Sequence, residues 1–233
     1  YDPASDVNSY YGGENQFYYP IYGPIKDVNN TWWQMLAKKL SATIGINNSL
    51  SGSAVTVNTG ITPANSDERI NTLGENGDPD IIIIYMGTND NCGGIDAKVF
   101  KKNYEEMLAK VHAKYPNAYV FCLNLGYTAY TGMQYTEARR LEYNDVIAEI
   151  CDKDTAILVD YASVQTQETY SGLLADFLHP NYDGLRSICN TTFEAMSNFF
   201  NAGKEFYFVS YVTDDTTTLE GDSVEFFYQG ENL

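Results

Sequence analysis

The spacing of apolar residues changes period repeatedly along this chain. In "TWWQMLAKKLSATIG", starting at Thr31, the residues Trp32, Trp33, Leu36, Leu40 and Ile44 recur at helical intervals, and Asn30 or Thr31 is placed to cap the first turn. "GINNSLSGSAV" (45–55) reads as a short strand running into a Gly-Ser loop. The isoleucines of "DPDIIIIYMGTND" (78–90) form an unbroken apolar run, as in a strand covered on both faces of a parallel sheet, and the run ends in a polar loop. An amphipathic helix follows, "DAKVFKKNYEEMLAKVHAKYPNA" (96–118), and then a second buried strand, "YVFCLNLG" (119–126). A helix over 136–154, a strand "AILVDYAS" (156–163) and a closing helix over 184–203 complete the series.

Strands alternating with helices of this length predict repeated βαβ units. The fold class is therefore α/β, a doubly wound parallel sheet flanked by helices. Residues 1–203 form the main domain. Its first thirty residues, rich in Tyr, Gly, Pro and Asn and without period, read as a long surface loop, and Tyr10, Tyr11, Tyr18 and Tyr19 lie in it. From Lys204 the texture changes, and residues 204–233 read as a short C-terminal β appendage of two β-rich segments around a Thr-Asp turn.

Composition narrows the function classes. A net charge of -17 leaves no basic surface for phosphates, so nucleic acid is not an expected partner. No apolar run approaches the roughly 18 residues of a membrane span. The four cysteines, Cys92, Cys122, Cys151 and Cys189, include no Cys-x-x-Cys pair, which argues against zinc and leaves room for up to two disulfides. Twenty tyrosines with abundant Asn, Thr and Asp point to an extracellular protein, secreted or on the cell surface, that handles polar ligands such as sugars.

Chemistry enters with "DFLHPNYDG" (176–184), which holds one of only two histidines, three residues after an aspartate. A carboxylate at that spacing can fix the imidazole tautomer and stabilise its protonated form, making His179 a general base with Asp176 as its partner. The plain alternative is a loop histidine in a structural hydrogen bond. In open α/β sheets ligands bind at the carboxyl ends of strands. Two further polar motifs fall at such ends, "NNSLSGS" with Gly52 and "GTND" with Asn89. A backbone N–H and a side-chain amide there are the donors an oxyanion requires. "NSDER" (65–69) fits either a helix cap or a part of the substrate rim.

"NNSLSGS", "YMGTND" and "DFLHPNYDG", in that order and spacing, resemble three of the four sequence blocks of the SGNH or GDSL-type serine hydrolases. The wording around them is most similar to the secreted bacterial carbohydrate-esterase branch. The resemblance covers residues 1 to 200 and implies a flavodoxin-like strand order. It also implies His179 as base, Asp176 as its partner, Gly52 and Asn89 as oxyanion donors, and no metal or organic cofactor. The family's nucleophile is the serine of a Gly-Asp-Ser block after its first strand, and no such block stands near the N-terminus. One Gly-Asp-Ser occurs at Gly221–Ser223. Three readings stand: a serine upstream of Tyr1, a permuted domain using Ser223, or a site without its serine. "TTTLE", just before that tripeptide, is too polar for a buried strand, so Ser223 is expected not to be the nucleophile. The expected function is a serine esterase that removes small acyl groups, acetyl above all, from carbohydrate esters. The alternative is a catalytically silent domain that binds glycan or serves as an interaction module.

Overall fold

Among the described residues three parallel strands carry the architecture: β1 (Ile81–Ile84), β2 (Tyr119–Leu123) and β3 (Ile157–Val159), in the order β1-β2-β3. The computed structural model describes residues 25, 27–50, 52–57, 61–153 and 156–202. Ile82 lies opposite Val120, and Cys122 opposite Leu158. Strand alternation sends successive β2 side chains to opposite faces. Val120 and Cys122 enter one core, and Phe121 and Leu123 the other.

Helices cover both faces. On the first lie α4 (Ala97–Lys114) and α5 (Glu137–Lys153). They bury Phe100, Tyr104, Leu108, Tyr143, Ile147 and Ile150, with the rings of Phe100 and Tyr143 stacked at 3.9 Å between centroids. On the second face α1 (Trp32–Leu40) packs against α7 (Tyr182–Asn201), placing Trp33, Leu36, Ile188 and Met196 under the sheet. Moving from β1 to β3 with helices on one face, and closing with a helix on the other, is the doubly wound arrangement the periodicity predicts.

Three details depart from the sequence reading. Residues 45–50 and 52–55 form no strand. Asn47, Asn48 and Ser49 interrupt the apolar run, and side chains satisfy backbone groups there, as when the Asp90 carboxylate accepts from Val55 N–H at 2.9 Å. β1 is not covered evenly. Ile82 and Ile84 are buried, while Ile81 and Ile83 are half-buried beside a cavity of about 430 Å³ whose walls include Trp33, Leu36, Ile44 and Ile46. At α1, Thr31 is the N-cap residue, but its hydroxyl donates back to Val28 O at 2.6 Å instead of capping the helix. All four cysteines stand as thiols, Cys92, Cys122 and Cys189 buried and Cys151 half-buried. The appendage at 204–233, Ser223 and the four N-terminal tyrosines lie outside the described residues.

Candidate active site

A helix or loop follows each strand at its carboxyl end, and these segments are joined to one another. After β1 comes α3 (Thr88–Cys92), which contains Asn89, Asp90 and Asn91 of the "GTND" motif and the residue after it. Asn91 ties α3 to the loop after β2, donating from Nδ2 to Thr136 O at 2.9 Å and accepting from Thr136 N–H at 3.0 Å. In that same loop the Thr128 hydroxyl donates to Phe177 O, inside the histidine loop. The carboxyl rim is thus one connected surface.

The histidine loop is folded tightly between α6 (Tyr170–Leu173) and α7. Leu174 bridges Pro180 in antiparallel fashion, and Ala175 N–H donates to His179 O at 2.8 Å. Asn181 is the N-cap of α7 and accepts from Gly184 N–H at 2.9 Å, while its amide donates to Gly172 O at 3.0 Å. Glycine is required at 184 because a β-carbon there would meet Leu173 O at 2.1 Å. The motif "HPNYDG" is therefore a helix start that sets the angle at which His179 leaves the fold.

Within that loop Asp176 divides its two oxygens. Oδ1 accepts the backbone N–H groups of Leu178 and His179 at 2.7 and 2.6 Å. Oδ2 lies 2.8 Å from His179 Nδ1. An ionised carboxylate only accepts, so the imidazole donates from Nδ1 and presents Nε2 as its basic nitrogen. The pair is open to solvent, with side chains 73% and 57% exposed for His179 and Asp176. Partial burial raises the Asp176 carboxyl, but the hydrogen bonds from the His179 backbone and ring and from Leu178 outweigh it and hold the acid below its ordinary range.

That depression has a sign in solution. A carboxyl lowered by folding contributes stability above its ordinary pKa and loses it as pH falls through the lowered value. The expected result is that Asp176→Asn narrows its stability deficit to the parent protein as acid melts are taken to lower pH. Thermal melts across the acid range check it, and a deficit independent of pH contradicts it.

The second pair of predicted residues also meets. Asn89 Nδ2 donates to Ser53 O at 2.9 Å, which joins "GTND" to the Gly-Ser loop. Gly52 itself turns with φ +75°, a conformation that favours glycine, and Ser53 N–H closes the turn on Leu50 O at 3.1 Å. So the structure unites Asp176 with His179, and Asn89 with the Gly52 loop. Sequence reasoning passed over two supports of this loop. Asp90 is fully buried and accepts from Val55 N–H, Thr56 N–H and the Thr56 hydroxyl at 2.9, 2.9 and 2.8 Å. Arg69, in α2 (Asp67–Thr72), is buried beneath the loop, and Ser66 caps that helix. "NSDER" is thus a helix cap whose arginine faces inward. A buried position was the missing signal, and no local pattern in six residues reveals it.

The model of the GDSL-like lipase/acylhydrolase family matches residues 20–186. No curated protein sequence matches the chain. Among solved structures, the psychrotrophic esterase EstA from Pseudoalteromonas sp. superposes with a TM-score of 0.58 at 18% identity, covering 84% of this chain and 94% of that one. A family 3 carbohydrate esterase from Talaromyces cellulolyticus gives 0.55 at 20% identity over 73% of this chain and 91% of its own. A family two carbohydrate esterase from Clostridium thermocellum gives 0.58 at 20% identity over 76% of this chain and 55% of its own. At such identities the likeness is one of fold.

Proposed function

The chain belongs to the GDSL-like lipase/acylhydrolase family, and on that premise we propose that it is an extracellular serine esterase removing acetyl groups from carbohydrate esters. The family makes it a carboxylic ester hydrolase. The observation that carries the finer reading is the Asp176 carboxylate seated 2.8 Å from His179 Nδ1, which leaves Nε2 as the base. In the proposed reaction Nε2 takes the proton of a serine hydroxyl as its oxygen attacks the ester carbonyl. The Gly52 N–H and the Asn89 amide receive the developing oxyanion, and His179 returns the proton to the departing sugar alcohol. Water then repeats the sequence on the acyl-enzyme, releasing acetate. No step calls for a metal or an organic cofactor.

Support for a small acyl group on a polar alcohol comes from the half-buried Asn89 amide at the carboxyl rim and from a fold shared with carbohydrate esterases. The test uses the full-length protein with p-nitrophenyl esters and an acetylated polysaccharide. Acetate release from the polysaccharide is expected, with kcat/KM for p-nitrophenyl acetate at least about tenfold above the octanoate. A fluorophosphonate should add covalently to one serine, and peptide mapping would name it. Tight glycan binding with neither turnover nor labelling would favour the silent binding module instead.

A further inference from the structure

Arg69 spends a buried guanidinium on a single loop. It is 7% exposed. Its Nε donates to Asn48 Oδ1 at 3.0 Å, Nη2 to Asn48 O at 2.5 Å, and Nη1 to Ser53 Oγ at 3.3 Å and Thr62 O at 3.2 Å. Asn48 replies, its Nδ2 donating to Arg69 O at 2.9 Å. Asn48 and Ser53 lie on the segment that carries Gly52, and Thr62 lies between it and Arg69 in the chain. Taking a cation out of water costs several kcal/mol unless its hydrogen bonds are met, so the arrangement holds only while the loop keeps this shape.

The helix behind the arginine is itself fixed. Lys110 Nζ contacts Asp67 Oδ1 at 2.9 Å and donates to Asn65 O at 2.8 Å, and the Tyr115 hydroxyl donates to Ile70 O at 2.8 Å. From the opposite side Asn89 holds Ser53 O, and Asp90 holds Val55 and Thr56. Ser53 is the point where both supports meet, the guanidinium on its hydroxyl and the Asn89 amide on its carbonyl. Gly52 is its neighbour in the turn.

We infer that Arg69 is a positioning residue that sets where the Gly52 N–H points, acting through Asn48 and Ser53 without touching substrate. The inference rests on the reading of Gly52 as an oxyanion donor. Such a donor works only about 2.7–3.1 Å from the oxyanion, and misplacement by about 1 Å can cost a hundredfold. The planar fork of arginine reaches acceptors in several directions at once. The ammonium of lysine is a point and cannot span Asn48 O, Ser53 Oγ and Thr62 O together.

The test compares the full-length protein with Arg69→Lys and Arg69→Ala, measuring kcat and KM for p-nitrophenyl acetate per mole of folded protein. The expected result is a fall in kcat of about a hundredfold with KM within about twofold, because the lost contact is made in the transition state. Guanidinium chloride at sub-denaturing concentration should restore part of the kcat of Arg69→Ala. Ile150→Ala, a core truncation in α5 that lowers melting temperature without touching this loop, should keep its kcat. A kcat for Arg69→Lys within about threefold of the parent, or a rise in KM alone, would overturn the inference and leave the esterase reading standing. Activity that survives His179→Ala would remove the site itself, and the inference with it.

Discussion

Replacing His179 with alanine is expected to lower kcat on p-nitrophenyl acetate by about four orders of magnitude, with KM little changed. The reason is the geometry of the loop. Asp176 Oδ2 faces Nδ1 at 2.8 Å, so the ring can offer Nε2 to a serine hydroxyl that would otherwise keep its proton. Where members of such a triad have been deleted, the loss is about 10⁴ to 10⁶ in kcat, and the residual rate comes from the oxyanion donors and binding. Stability should scarcely move, because the His179 side chain is 73% exposed and its backbone keeps the hydrogen bonds to Ala175 and Asp176. Asp176→Asn should lose about ten-thousandfold for a different reason, since its amide can hold the ring in the wrong tautomer. Steady-state rates on folded, full-length variants check both. Turnover unchanged in the histidine variant would end the esterase site as described.

How far the sequence carried this reading depended on what each residue answers to. Periodicity alone located β1, β2, β3 and the long helices, because burial of a sheet on both faces writes itself into local order. The pair Asp176 and His179 was equally legible, since three residues of a tight turn bring the two side chains together without help from the rest of the fold. The segment 45–55 was not. Its apolar residues suggested a strand, but its backbone is held by Arg69, Asn89 and Asp90, which are distant in sequence. Nor does a run of four isoleucines disclose that Ile82 and Ile84 are buried while Ile81 and Ile83 are only half-buried, beside a cavity. Short-range rules reach the first kind of feature and stop before the second.

Asp90 tests the long-range kind directly, and Asp90→Ala is expected to cost about 3 kcal/mol or more of stability. The side chain is fully buried and accepts three hydrogen bonds, from Val55 N–H, Thr56 N–H and the Thr56 hydroxyl. Alanine leaves those donors in the interior, at about 1–3 kcal/mol for each one that finds no water. In a domain of this size about 3 kcal/mol lowers the melting temperature by roughly 6–12 °C. Asp90→Asn should lose less, because its amide oxygen still accepts while its NH₂ opposes a donor. Burial pushes the Asp90 carboxyl above its ordinary 3.8, against the pull of its hydrogen bonds. The folded state therefore takes up the proton first, and the parent protein gains on the non-titrating asparagine variant as pH falls from the raised value toward 3.8. This is the opposite sign to Asp176, so melts of the two asparagine variants across one acid series should diverge. Since Asp90 holds Val55 and Thr56 beside the Gly52 turn, kcat should fall with stability in the alanine variant. An alanine variant that melts with the parent would show that the buried carboxylate contributes nothing to the loop it touches.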